Sequence, residues 1–98
     1  MDNIKELLVS NGYERVRCTD SGQWVGVMSF IYTSALCIGL DEHGYERRYC
    51  YERKKDALIA CDAFDGQGDP IGPWIKMKGV DGDKMNPQME YVEESKDL

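Results

Sequence analysis

Apolar residues recur along this chain in two periods, one helical and one extended, and the switches between them divide it into elements. Near the start, Ile4, Leu7 and Leu8 fall three and four positions apart, behind Asp2 or Asn3 as a cap and with Glu6 three residues after Asn3. That spacing predicts a short helix over 3–10, stopped at Asn11 and Gly12 because glycine accepts the left-handed conformation a helix end often needs. Residues 13–18 alternate as a short strand, closed by the turn-prone Thr19, Asp20, Ser21 and Gly22. The runs WVGVMSFIYT (24–33) and ALCIGL (35–40) are rich in β-branched and aromatic residues and predict two more strands. A turn over 41–44 leads to YERRYCYE (45–52), where Tyr45, Arg47, Tyr49 and Tyr51 share one face while Glu46, Arg48, Cys50 and Glu52 share the other.

If the turn sets Leu40 opposite Tyr45, Cys37 faces Arg48 and Ala35 faces Cys50. Cys37 and Cys50 are then diagonal neighbours, not the directly opposed pair that a cross-strand disulfide prefers. The helical period returns over 53–64, where Ala57, Leu58, Cys61 and Phe64 form a stripe to lie on the sheet, and Gly66 stops it. Beyond it, only residues 74–78 alternate like a strand, and Asp81-Gly82-Asp83 and Asn86-Pro87 read as turns. The expected fold is α+β: an antiparallel sheet of three or four strands flanked by two helices packed on one of its faces. It forms one domain over 1–92, with a long ordered Gly/Pro loop over 65–79 and an acidic, frayed tail over 93–98.

That loop, DGQGDPIGPWIKMKG, raises the question of a binding site. Its glycines sit after a helix, whereas a phosphate cradle follows a strand and opens a helix so that backbone N–H groups meet the phosphates. A scaffold reading explains more residues: Pro70 and Pro73 fix φ, Gly68 and Gly72 supply conformations closed to other residues, and Trp74 folds back as an anchor. An interaction loop is the other reading.

The formal net charge of −6, from 18 acidic and 12 basic residues, argues against direct binding of a nucleic-acid backbone and suits a basic protein partner. No long apolar run or secretion signal is present, so membrane spanning and export are not expected and the four cysteines are expected as free thiols in a reducing cytoplasm. No CxxC and a single histidine leave no zinc spacing. Residues 81–92 miss the calcium-loop pattern, with Asn86 at its glycine position and Val92 at its glutamate position. His43 could in principle pair with a cysteine nucleophile, but the cysteines fall in strands or on an apolar stripe, so neither an enzyme nor a metal or cofactor is expected. The alternative function is a nucleic-acid or nucleotide-binding module using the Tyr/Arg strand with Lys76 and Lys78.

Phe64-Asp65-Gly66 followed by Gly68-Asp69-Pro70-Ile71-Gly72-Pro73-Trp74-Ile75-Lys76 resembles the C-terminal segment of small uncharacterised proteins carried by bacteriophages and prophages. The resemblance covers about a third of the chain. Together with the acidic charge, it implies a non-enzymatic accessory protein in the host bacterial cytoplasm. Such a protein would bind a host protein with a basic nucleic-acid-binding groove, as an anti-CRISPR-like inhibitor of a defence system does. Expected contact residues are Asp65, Asp69, Trp74, Lys76, Asp81 and Asp83, with Glu93 and Glu94 as further acidic positions.

Overall fold

A computed structural model describes residues 3–86, and residues 93–98, expected as the tail, lie outside them. The elements run α1 (Asn3–Ser10), β1 (Glu14–Cys18), β2 (Trp24–Ser29), β3 (Ser34–Ile38), β4 (Arg47–Tyr51), α2 (Lys54–Ala63), β5 (Trp74–Gly79) and β6 (Gly82–Met85). The strands form one antiparallel sheet in sequence order, β1 through β6. The fold class is α+β, with six strands where three or four were expected. The surplus comes from 74–85, where the second half of the expected loop is β5. The turn expected at Asp81-Gly82-Asp83 is tight enough that Gly82 and Asp83 already belong to β6.

The two helices lie on opposite faces of the sheet, not on one. β3 shows why: all five of its residues are buried. Leu36 and Ile38 join Val25, Val27, Tyr49, Tyr51, Ala57, Ala60, Cys61, Phe64 and Trp74 in the core under α2. Ala35 and Cys37 join Leu8, Val16 and Leu40 in the core under α1. A strand covered on both sides reads as an uninterrupted apolar run, which is what SALCI is.

Register between β3 and β4 follows the expected pairing, with Ala35 opposite Cys50 and Cys37 opposite Arg48. Tyr45 departs from expectation. β4 begins only at Arg47, and Tyr45 packs into the cluster on the α1 side, away from Tyr49 and Tyr51. β2 also ends sooner than expected, at Ser29, because Phe30 N–H closes a tight turn onto the Thr33 carbonyl at 2.7 Å.

Strand β5 carries an irregularity that decides which side chains face inward. Tyr49 pairs with Met77 and Cys50 with Lys76, yet Tyr51 pairs with Trp74, so Ile75 is an extra residue. Such a bulge re-aims the side chains on one side of it. Trp74 and Met77, three apart, thereby both reach the core under α2, and Lys76 and Lys78 face the other way with Cys50 and Arg48.

Helix α2 has no basic residue in its last turn. Arg17 on β1 supplies the missing cation: its guanidinium donates to the Cys61 carbonyl at 2.8 and 3.3 Å and to the Phe64 carbonyl. These carbonyls close the helix end, where the Cys61 carbonyl otherwise accepts only a long C-cap bond from Phe64 N–H at 3.4 Å. Gly66 follows at φ +99°, and a Cβ there would run into the Ser21 side chain. Among the described residues no helix is long and apolar enough to cross a membrane.

Candidate binding surface

Two of the expected contact residues fasten the loop to the sheet, Trp74 from the interior and Asp69 from the exposed side. Trp74 is 3% exposed, and its ring meets that of Tyr49 edge to face, with centroids 4.9 Å apart at 79°. The Tyr49 hydroxyl donates to Asp69 Oδ1 at 2.5 Å and accepts from Arg47 at 2.6 Å. Lys84 Nζ reaches both Asp69 oxygens at 3.1 Å and lies 5.8 Å from the centroid of the Trp74 ring. Two residues further along β4, the Tyr51 hydroxyl donates to the Ile71 carbonyl at 2.6 Å. The side-chain amide of buried Asn86 donates to the Trp74 carbonyl at 2.8 Å.

Burial, reinforced by the bond to Asp69, pushes the Tyr49 hydroxyl up to about 12. For Asp69, burial alone would raise its pKa. Hydrogen bonds from Tyr49 and Lys84, with the charges of Lys84 and Arg47, outweigh that and hold the carboxyl below its ordinary value. This cluster ties residues 69–74 to the sheet. Trp74 presents almost no surface, and the Asp69 carboxylate is already engaged by three groups' worth of donors and charge.

The other expected residues form no single cluster with Asp69 and Trp74. Asp65 is exposed and closes its own turn by accepting from Gln67 N–H at 2.9 Å. Lys76 and Asp83 pair loosely at 3.9 Å on the side of the sheet away from α2. Asp81 is exposed in the β5–β6 turn.

Burial pushes the Cys37 thiol up to about 12 and the Cys61 thiol up to about 11, which leaves both protonated at neutral pH. All four cysteines are free. His43 is exposed in the β3–β4 turn and its charged neighbour is Glu42, at 3.6 Å. Among the described residues, no three of His, Cys, Asp and Glu are grouped to hold a metal ion.

Sheet topology does bring separate charges together. Because the strands alternate in direction, the β1–β2, β3–β4 and β5–β6 turns all lie at one end of the sheet, and α2 ends there too. This end carries Asp20, Asp41, Glu42, Glu46, Asp65 and Asp81, all exposed. Among the described residues, none of them pairs with lysine or arginine. The paired carboxylates lie elsewhere: Asp62 with Arg15, Glu14 with Lys54, Asp69 with Lys84, and Asp83 with Lys76. A hollow of about 290 Å³ opens at the acidic end, walled by Gln23, Glu46, Arg47, Val80 and Asp81 among others.

The opposite end has a different character. In the β2–β3 turn Phe30 is 44%, Ile31 90% and Tyr32 88% exposed. The Arg48 guanidinium sits 4.9 Å from the Phe30 ring centroid and 5.6 Å from that of Tyr45. The β4–α2 connection reaches the same end with Arg53 and Lys55 exposed. Sequence reasoning extended a strand through this turn and so did not single it out. The signal was present: three large apolar residues in a row cannot all face one core from an extended chain.

No protein-family model, no curated protein and no solved structure matches this chain.

Proposed function

We propose that this chain is a non-enzymatic phage or prophage accessory protein that binds a basic, nucleic-acid-binding surface of a host protein through the acidic end of its sheet. The observation carrying this reading is the gathering of six exposed carboxylates, without lysine or arginine partners among the described residues, from three turns and the end of α2. Carboxylates left unpaired at one end create a one-signed field that steers a basic partner and fixes its orientation. The phage context comes from the resemblance of residues 64–76, and an inhibitor of a bacterial defence nuclease is the role this combination fits.

A wild-type bait and a Glu42→Gln, Glu46→Gln, Asp81→Asn bait, exposed to bacterial lysate across a salt series, test it. The wild-type protein should retain a nucleic-acid-binding protein that added oligonucleotide displaces, and the neutralised variant should lose it at lower salt. Equal retention by the two baits, or retention untouched by oligonucleotide, would sink the reading.

One observation favours a second reading, direct nucleic-acid binding. Lys78 sits opposite Arg48 and Lys76 opposite Cys50, on a part of the sheet that neither described helix covers. The tyrosines expected to stack bases there, Tyr49 and Tyr51, are fully buried under α2; on the other side, Phe30 and Tyr45 are the aromatic groups that lie against Arg48. Titration of labelled oligonucleotide at low salt separates the two readings, since only the second requires binding without a host protein.

A further inference from the structure

The chain carries an apolar tip with basic neighbours at one end of its sheet and an apolar hollow with acidic neighbours at the other. The tip is Ile31 and Tyr32, 90% and 88% exposed, next to Phe30 with the Arg48 guanidinium over its ring; Arg53 and Lys55 are exposed at the same end, with Glu52 and Asp56 as the carboxylates beside them in sequence. The hollow lies between α1 and the β3–β4 turn and is lined by Ile4, Leu7, Asp41 and Glu42. Leu7 was expected on the buried stripe of α1, but only Leu8 is fully enclosed and Leu7 stays 37% exposed at this hollow.

We propose that copies of this chain associate head to tail, the Ile31 and Tyr32 tip of one seating in the hollow between α1 and the β3–β4 turn of the next. The proposal does not rest on the host-protein reading, although Asp41 and Glu42 belong to both surfaces. Three features carry it. The hollow measures about 300 Å³, roomy beside the roughly 150 Å³ cavity that suffices for a benzene-sized ring. The hollow is lined by two aliphatic side chains and two carboxylates, while the tip is apolar with Arg48, Arg53 and Lys55 against Glu52 and Asp56 at its end, so the two surfaces match in polarity and in the sign of their net charge. Finally, both lie on one chain at opposite ends of the sheet, so the contact is heterologous and leaves each added copy with one free tip and one free hollow. The small area of such a contact makes it weak and dependent on concentration and salt.

Sedimentation of the purified chain over a wide concentration range, at low and high salt, tests the proposal. Wild type should grow in mass beyond a dimer at high concentration and low salt. A tip variant, Ile31→Ser with Tyr32→Ser, and a hollow variant, Leu7→Gln with Glu42→Lys, should each weaken association by about 100-fold. All four positions are exposed, and circular dichroism verifies that both variants keep the fold. Mixing the two variants is the decisive arm. The hollow variant keeps its tip and the tip variant keeps its hollow, so the mixture should form dimers and stop there. A wild type that stays monomeric throughout overturns the proposal. Loss of association in the tip variant alone does so too, since it would mean a tip-to-tip contact. A mixture with no dimer is equally fatal.

Discussion

Arg17 closes the end of α2 from the far side of the sequence: its guanidinium donates two hydrogen bonds to the Cys61 carbonyl, 44 residues on, and reaches the Phe64 carbonyl as well. The contact joins β1, an edge strand, to the helix that covers the main core. Arg17→Met keeps the aliphatic stem and removes the donors. It should cost about 1–3 kcal/mol, because charged hydrogen bonds are lost and the Cys61 carbonyl keeps only its long bond from Phe64 N–H. Urea unfolding measures it, and an unchanged midpoint would mean that solvent satisfies those carbonyls equally well.

Asp69 and Tyr49 predict opposite ends of the pH-stability curve. The folded Asp69 carboxyl titrates below its unfolded value, so the stability it contributes is present above about pH 4 and is lost as pH falls through the folded value. The Tyr49 hydroxyl is raised to about 12 when folded, so its contribution is present below about pH 10 and is lost as pH climbs toward 12. Thermal melts across pH should show Asp69→Asn flattening the acid limb and Tyr49→Phe flattening the alkaline limb. Identical acid limbs for Asp69→Asn and wild type would remove Asp69 from the account.

Thiol reactivity should follow burial. Cys18 is exposed, whereas Cys37 and Cys61 are buried with raised thiol pKa values. An alkylating reagent near pH 8 should label Cys18 quickly, while Cys37 and Cys61 react only when the chain unfolds. Mass spectrometry of a time course reads this directly, and fast labelling of Cys61 in the native protein would contradict its place under α2.

Trp74 and Ile31 separate scaffold from surface. Trp74→Ala removes an aromatic ring packed on Tyr49 and should cost about 3–5 kcal/mol. Ile31→Ser changes a side chain that touches mostly solvent, so its effect on stability should stay within about 0.5 kcal/mol. Equilibrium unfolding of both variants gives the comparison. A mild Trp74→Ala would mean that the loop is held by its hydrogen bonds alone.

The acidic end gives one more stability test. Removing like charges that have no cationic partners relieves repulsion, so Glu42→Gln with Asp81→Asn should leave the fold as stable or slightly more so at low salt. A destabilised variant would place these carboxylates in the structure's support instead of on a free surface. Thermal melts at two salt concentrations distinguish the cases.

Residues close in sequence, or repeating at a regular period, were legible without the fold. The stripe of Ala57, Cys61 and Phe64 marked α2, and pairing outward from one turn placed Ala35 against Cys50 and Cys37 against Arg48. These features rest on 3.6-residue and two-residue periods and on turn chemistry, which act over a few positions. The apolar run of β3 carried the two-sided burial as well, though it equally suits a strand in a deeper core. Three things came only with the tertiary structure. The bulge at Ile75 shifts a register that strict alternation cannot anticipate, and it turns Trp74 inward and Lys76 outward. Strand direction, counted over six strands, gathers six carboxylates from turns as far apart as Asp20 and Asp81. Last, a turn closed at Phe30 leaves Ile31 and Tyr32 in solvent although their composition marks them as strand. Local chemistry selects the elements, while side-chain direction and the meeting of distant turns depend on how all the strands pair.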